Sequence, residues 1–339
     1  MIRTLVVGMG QMGQSHARAY HEHSSFEIVG LINRSSISLD SPLDQYDIGT
    51  DFGSALRRLK PDFVSIATYS DSHADLAIAA MKAGANVFVE KPIAATAADA
   101  RRVAHVAVET GRKLVVGHIL RHHPTWQALI GHSREFGGPY VFRMNLNQRS
   151  SGSAWEVHKR LMEKTSPIVD CGVHYVDVMC QITDADPVEV RGMGLRLSDE
   201  IAPDMYNYGQ FQVLFSDGSC GWYEAGWGPM ISETAHFVKD VVTPRGSVSL
   251  REPSGRASSD LEGHTSADLL VVGAAGKYEE AHEYDSPDHQ GLCNLQADFV
   301  ARAITLDLDL TRHLSDVVRS LEICLAADES VRTGKPITL

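Results

Sequence analysis

Lys91 lies between Glu90 and Pro92, at the end of the apolar run "NVFVE". An ammonium at the mouth of a strand can stabilise negative charge that develops on a reacting oxygen. Glu90 can orient that ammonium, and Pro92 restricts the backbone beside it. An isolated lysine at a strand end equally fits a plain surface position. A second constellation is "SPIVDCGVHYVDVM", residues 166–179. On a helix, Asp170 and His174 share one face, with Asp177 a turn further on. Cys171 and Gly172 leave room beside them. A carboxylate next to an imidazole holds a general base in one tautomer. The same spacing also suits a satisfied core histidine or a capping pair.

These residues need elements to position them. Through about residue 120, short β-branched runs (4–8, 26–32, 62–68, 86–90 and 113–118) alternate with helix-like segments (14–22, 54–59, 73–83 and 97–109). Continuous apolar strands alternating with helices predict a doubly wound parallel sheet covered on both faces. Gly84 and Gly111 fall where helix C-caps belong. Beyond residue 121 the pattern changes. A helix is predicted over 167–182, then strands over 188–197, 208–215, 220–227, 235–243 and 247–250. "SDGS" and "TPRGS" have hairpin-turn chemistry, so this sheet is expected to be mostly antiparallel. Residues 251–268 read as a polar loop, and a last helix over 315–332 stops at Gly334 and Pro336. The predicted fold class is α/β. A Rossmann domain over 1–121 precedes a substrate-binding and oligomerisation domain over 122–339, with the C-terminal helix packing back on the first domain as a variant.

Gly8, Gly10 and Gly13 in "VVGMGQMGQSHARAY" follow the first strand and open a helix. Gly8 makes the turn, Gly10 admits a pyrophosphate to the backbone, and Gly13 lets the helix pack on the strand. Gln11 and Met12 complete the loop, whose helix N-terminus offers N–H groups to phosphates. A glycine turn without a ligand is the alternative. Lys91 ends a later strand of the same sheet, and ligands bind beyond the carboxyl ends of such strands. The second strand ends in Asn33, Arg34, Ser35 and Ser36, where the fingerprint expects an acid for the ribose of NAD. The missing carboxylate and the added guanidinium favour NADP over NAD, with dual use as the alternative.

Composition narrows the function classes. The 339 residues suit two domains, and a net charge of −12 disfavours a general nucleic-acid binder. Five scattered cysteines with no CxxC pair suggest a reducing compartment. No apolar run approaches the roughly 18 residues needed to span a bilayer. The N-terminus reads as a first strand, so a cytoplasmic location without membrane association is expected. The histidines at 21, 23, 122 and 123 lack ligand spacing and read as surface or loop residues, so no metal is expected.

With these motifs in order, the chain resembles the Gfo/Idh/MocA oxidoreductases, the group of glucose–fructose oxidoreductase and inositol dehydrogenase. The matching elements are GMGQMG, "SHADLAIAAMKAGANVFVEKP", "GHILRHHP", "DCGVHYVD" and "LEICLAADESVRTGKP". The resemblance implies catalytic roles for Lys91, Asp170 and His174. It also implies cofactor contacts in the stretch from Thr68 to His73, where Tyr69 and Ser70 depart from the common form. It implies an open antiparallel sheet that forms an oligomer interface, hence a homodimer or homotetramer. The expected activity is NAD(P)-dependent oxidation of a secondary hydroxyl on a sugar, cyclitol or related polyol. Alternatives are a non-redox glycosidase of the same fold and a non-catalytic cofactor sensor. Residues 147–167 should border the substrate. There Arg149, Trp155, His158, Lys159 and Arg160 suit a carboxylated or phosphorylated sugar, or else form a solvated loop; Arg121 is read with them as a substrate contact. Trp222, Tyr223 and Trp227 suit either sugar stacking or a core.

Overall fold

The computed structural model describes residues 1–232, 237–251, 269–277 and 279–339. They form two compact units, Met1–Ile119 with Asp288–Val318, and Leu120–Pro287 with Arg319–Leu339. In the first, β1 (Ile2–Val7), α1 (Gln11–Glu22), β2 (Phe26–Ile32), β3 (Ile48–Gly49), α2 (Phe52–Leu59), β4 (Phe63–Ile66), α3 (Ser70–Lys82), β5 (Asn86–Val89), α4 (Ala97–Thr110) and β6 (Leu114–Val116) alternate. The sheet order is β3-β2-β1-β4-β5-β6, every neighbour parallel. This is the doubly wound order, reversing beside β1. The inner strands are mostly apolar because helices cover both faces, and Leu5, Val6, Phe63, Val64, Phe88 and Val89 are fully buried. Thr96 starts α4 by accepting the Asp99 N–H, and Gly111 ends it at φ 63°.

The second unit contains α5 (Pro124–Phe136), β7 (Val141–Arg149), α6 (Ser153–Leu161), α7 (Pro167–Ile182), β8 (Pro187–Leu195), β9 (Tyr208–Phe215), β10 (Cys220–Gly228), β11 (Lys239–Thr243), β12 (Gly246–Arg251), β13 (Leu269–Ala274) and β14 (Glu279–Glu283). Two helices follow, α8 (His289–Thr305) and α9 (Thr311–Thr333), and then β15 (Ile337–Thr338). α8 packs on α1 in the first unit, where Cys293, Ala297 and Val300 join the core of Val6, Tyr20 and Phe26. The nine-stranded sheet runs β14-β13-β12-β11-β7-β10-β9-β8-β15. It is antiparallel except where β10 lies parallel to β7, from Val141 opposite Cys220 to Arg149 opposite Gly228. One face carries α7 over β10. The other face exposes Met193, Leu195, Leu214 and Val141.

α5, α6, α8, β7, β13 and β14 lie outside the expected elements. Within residues 147–167, Asn147 to Arg149 end β7 and α6 covers Ser153–Leu161. β7 hides from pattern reading because its buried positions include Asn145, Asn147 and Gln148, which break apolar alternation. The strand expected over 235–243 is described only as β11, and the polar loop over 251–268 lies outside the described residues beyond Arg251.

Candidate active site

The glycine loop shows why each glycine is there. Gly8 has φ 89°, in the left-handed region, and a Cβ on it would lie 2.4 Å from the Ala67 carbonyl oxygen. A Cβ on Gly13 would lie 1.7 Å from the Gly8 carbonyl oxygen, so the helix reaches the turn only as glycine. Gly10 differs: a Cβ there would meet nothing within 4 Å. The protein itself does not demand glycine at that position, whereas a ligand pressed against the backbone does. No side chain caps α1 and its first turn holds no acid, which leaves its N–H groups and positive dipole end for an anion. Gln11 is exposed and Met12 half-buried. These features fit a dinucleotide.

At the end of β2, Asn33 accepts a hydrogen bond from the Met9 N–H at 3.0 Å and donates to the Ser35 carbonyl at 2.8 Å. Its carboxamide thereby ties the glycine loop to the following turn. Arg34, Ser35 and Ser36 are exposed. Across the sheet, Thr68 Oγ1 lies 2.7 Å from Ser72 Oγ. His73 is buried, with Nδ1 2.8 Å from the Pro92 carbonyl and Nε2 3.0 Å from the Thr68 carbonyl. Burial lowers its pKa, against the pull of those two carbonyls.

Lys91 is half-buried two residues beyond the end of β5, and its bond to Pro92 is cis. Glu90 is buried, with Oε1 2.6 Å from His16 Nε2 and Oε2 accepting the Lys91 backbone N–H at 3.1 Å. Burial pushes the Glu90 carboxyl up, but the His16 bond and the Lys91 charge bring it below the usual range.

In the second unit, Ser166 caps α7 by accepting the Val169 N–H, and Pro167 occupies its first turn. Asp170 is half-buried and His174 buried, one helical turn apart. Gly172 lets Tyr223 close on the helix, since a Cβ would lie 3.2 Å from its ring. Tyr175 stacks on Tyr223 at 5.3 Å and meets Trp126 edge-on at 5.6 Å. Tyr223 and Trp227 are core residues.

Arg121 donates two hydrogen bonds to Asp177, at 2.8 and 2.7 Å, so its fork is engaged by a carboxylate of α7. Lys159 lies 2.7 Å from both Glu156 and Glu200. The bond to Glu156 and the bond to Glu200 raise its pKa. The Trp155 indole donates to Glu200 at 3.2 Å. His158 is buried, stacked on Trp227 at 4.3 Å, and 2.9 Å from Ser150 Oγ. Burial lowers its pKa to about 4, against Asp170. Trp155 and His158 are thus packed against the protein, and the solvated-loop alternative does not hold for them.

Two buried residues escape a reading for function. His16 had one signal, its place three residues after Gly13. Lys239 had none: it is 1% exposed on β11, its ammonium bonding the Asn145 carbonyl and lying 4.8 Å from the Tyr175 ring. His123, expected at the surface or in a loop, is buried at the start of α5. Among the described residues no group of three His, Cys, Asp or Glu is placed to hold a metal ion.

Residues 2–118 match a family model described as an oxidoreductase family with an NAD-binding Rossmann fold, and residues 128–235 match the GFO/IDH/MocA C-terminal domain. A 4-carboxy-2-hydroxymuconate-6-semialdehyde dehydrogenase from a Sphingobium species is 32% identical over 171 residues, 46% of this chain and 54% of that protein. The chain spans about half the length of such curated relatives. A scyllo-inositol 2-dehydrogenase (NAD(+)) of Bacillus subtilis is 22% identical over 100% of this chain and 96% of its own. The crystal structure of an aldose-aldose oxidoreductase from Caulobacter crescentus shares the fold, with TM-score 0.80 and 19% identity over 100% of this chain and 99% of that one.

Proposed function

Because the chain belongs to the Gfo/Idh/MocA oxidoreductase family, we propose that it is an NAD(P)-dependent dehydrogenase. It oxidises a secondary hydroxyl of a sugar, cyclitol or related polyol, or runs the reverse reduction. The observation that carries this is the Asp170–His174 pair on α7, in a chain whose strand β5 leads through Glu90 into Lys91. His174 takes the hydroxyl proton, a task suited to an imidazole. Asp170 orients that imidazole or binds a neighbouring hydroxyl. Lys91 hydrogen-bonds the reacting oxygen and stabilises its negative charge. The nicotinamide, when bound, supplies hydride acceptance or donation. Gly8, Gly10, Gln11, Met12 and Gly13 hold its phosphates.

NADP is the favoured form. No carboxylate ends β2, and Arg34 with Ser35 presents exposed donors beside the loop. An uncharged polyol is favoured over a sugar acid, since Arg121 and Lys159 are neutralised by Asp177, Glu156 and Glu200. The test is purified protein with each cofactor against a panel of polyols, cyclitols and sugar acids. Net formation of reduced nicotinamide with a neutral polyol is expected. Turnover of a glycoside without net reduction would replace this assignment with a non-redox one.

A further inference from the structure

Lys91 is flanked by two residues that do not face solvent freely. Before it, the Glu90 carboxylate is held at both oxygens, by His16 and by the amide of Lys91 itself. Gly117 makes room for that carboxylate, since a Cβ there would lie 3.0 Å from its Cδ and both oxygens. After it, the Pro92 carbonyl faces His73 Nδ1, whose other nitrogen faces Thr68. His16 and His73 are each 1% exposed. The His16 ring rests on Phe88 of β5 at 4.6 Å. His16 holds the side chain of the residue before Lys91, and His73 faces the carbonyl of the residue after it. His16 also sits on α1, one turn beyond Gly13, so one helix both opens at the glycine loop and grips the lysine turn.

We propose that His16 and His73 are positioning residues, a two-sided grip from α1 and α3 that sets the direction of the Lys91 side chain relative to the glycine loop. His16 Nε2 lies against one oxygen of Glu90, whose other oxygen fixes the Lys91 amide. A neutral His73 ring has one N–H, which donates to either the Pro92 or the Thr68 carbonyl while the ring packs between the turns after β4 and β5. The grip rests on Lys91 acting as proposed above.

The test uses His16→Gln, His73→Gln and Glu90→Gln in the full chain. The rate at which an amine-selective acylating reagent labels Lys91, read by mass spectrometry with the other lysines as internal controls, reports the grip without turnover. Labelling should change more than about threefold in each variant, and kcat should fall roughly ten- to a hundredfold with cofactor Kd within threefold. His16→Gln and Glu90→Gln combined should cost no more than Glu90→Gln alone, because the contact that His16→Gln breaks is already lost in it. Should one histidine variant fail to fold, Glu90→Gln and the other histidine carry the decision. Unchanged labelling and kcat per folded protein would reduce both histidines to packing and overturn the proposal. If Lys91→Ala retained turnover while labelling still shifted, the grip would stand and the catalytic reading of Lys91 would fail.

Discussion

Asn33 uses both ends of its carboxamide on the backbone of its own unit, accepting from Met9 and donating to Ser35. One N–H and one lone pair of that carboxamide remain for a ribose hydroxyl, and the Arg34 guanidinium is exposed beside it. Arg34→Ala should weaken NADP by about ten- to a hundredfold and NAD by much less, as fluorescence titration at fixed salt would show. NAD binding more tightly than NADP to the parent protein would reverse the assignment. His174→Ala should lower turnover at least about a hundredfold while cofactor still binds; near-normal turnover removes His174 as the base. His158 makes a pH prediction. The unfolded chain protonates this ring near 6.5 and the folded chain only near 4. Its stability is complete above pH 6.5 and is lost as pH falls from there towards 4, by roughly 3 kcal/mol. Melting of parent and His158→Gln across that window should show a steeper acid loss in the parent, and parallel curves would count against the neutral ring.

At the scale of elements, the glycine loop separates folding from binding. Gly13→Ala drives a methyl into the Gly8 carbonyl and should unfold or badly destabilise the strand–helix junction. Gly10→Ala has open space, so its melting temperature should stay near the parent's while cofactor affinity drops. Equal loss of affinity and stability in both would mean that Gly10 is structural. The parallel sheet was legible because its strands are buried on both faces and their helices are bounded by turn residues such as Thr96 and Gly111. β7 was not, because a central strand of the second sheet carries buried Asn145, Asn147 and Gln148, whose partners lie on distant strands. α6 was lost for a related reason: its Lys159 and Arg160 read as solvent-facing, while Trp155 and His158 are packed inside. At the candidate site, residue types in motifs could be read from sequence. The His16–Glu90 contact and the Arg121–Asp177 pair could not, since each joins positions far apart in the chain.

For the whole molecule, a net charge of −12 argues against nucleic acid, while exposed hydrophobic side chains on one sheet face argue for association between copies. Met193 and Leu195 are more than half exposed, with Leu214 and Val141 on the same face, opposite α7. One-sided antiparallel sheets leave such a face to be covered. Light scattering at micromolar concentration should show a homodimer or homotetramer, and Met193→Lys with Leu214→Lys should reduce it; a monomeric parent would contradict this. The parallel pairing of β7 with β10 also has a meaning in time. α6, α7, β8 and β9 all lie between these two neighbours in the chain, so β7 can pair with β10 only after a long loop closes. α7 lies over β10 and has no finished surface to settle on until that strand arrives. Long-range pairings of this kind form slowly. Pulse-labelled exchange during refolding should find the β8–β9 amides protected before those around Asp170 and His174, which would make the helix proposed to carry the chemistry one of the last parts of the second unit to take its shape.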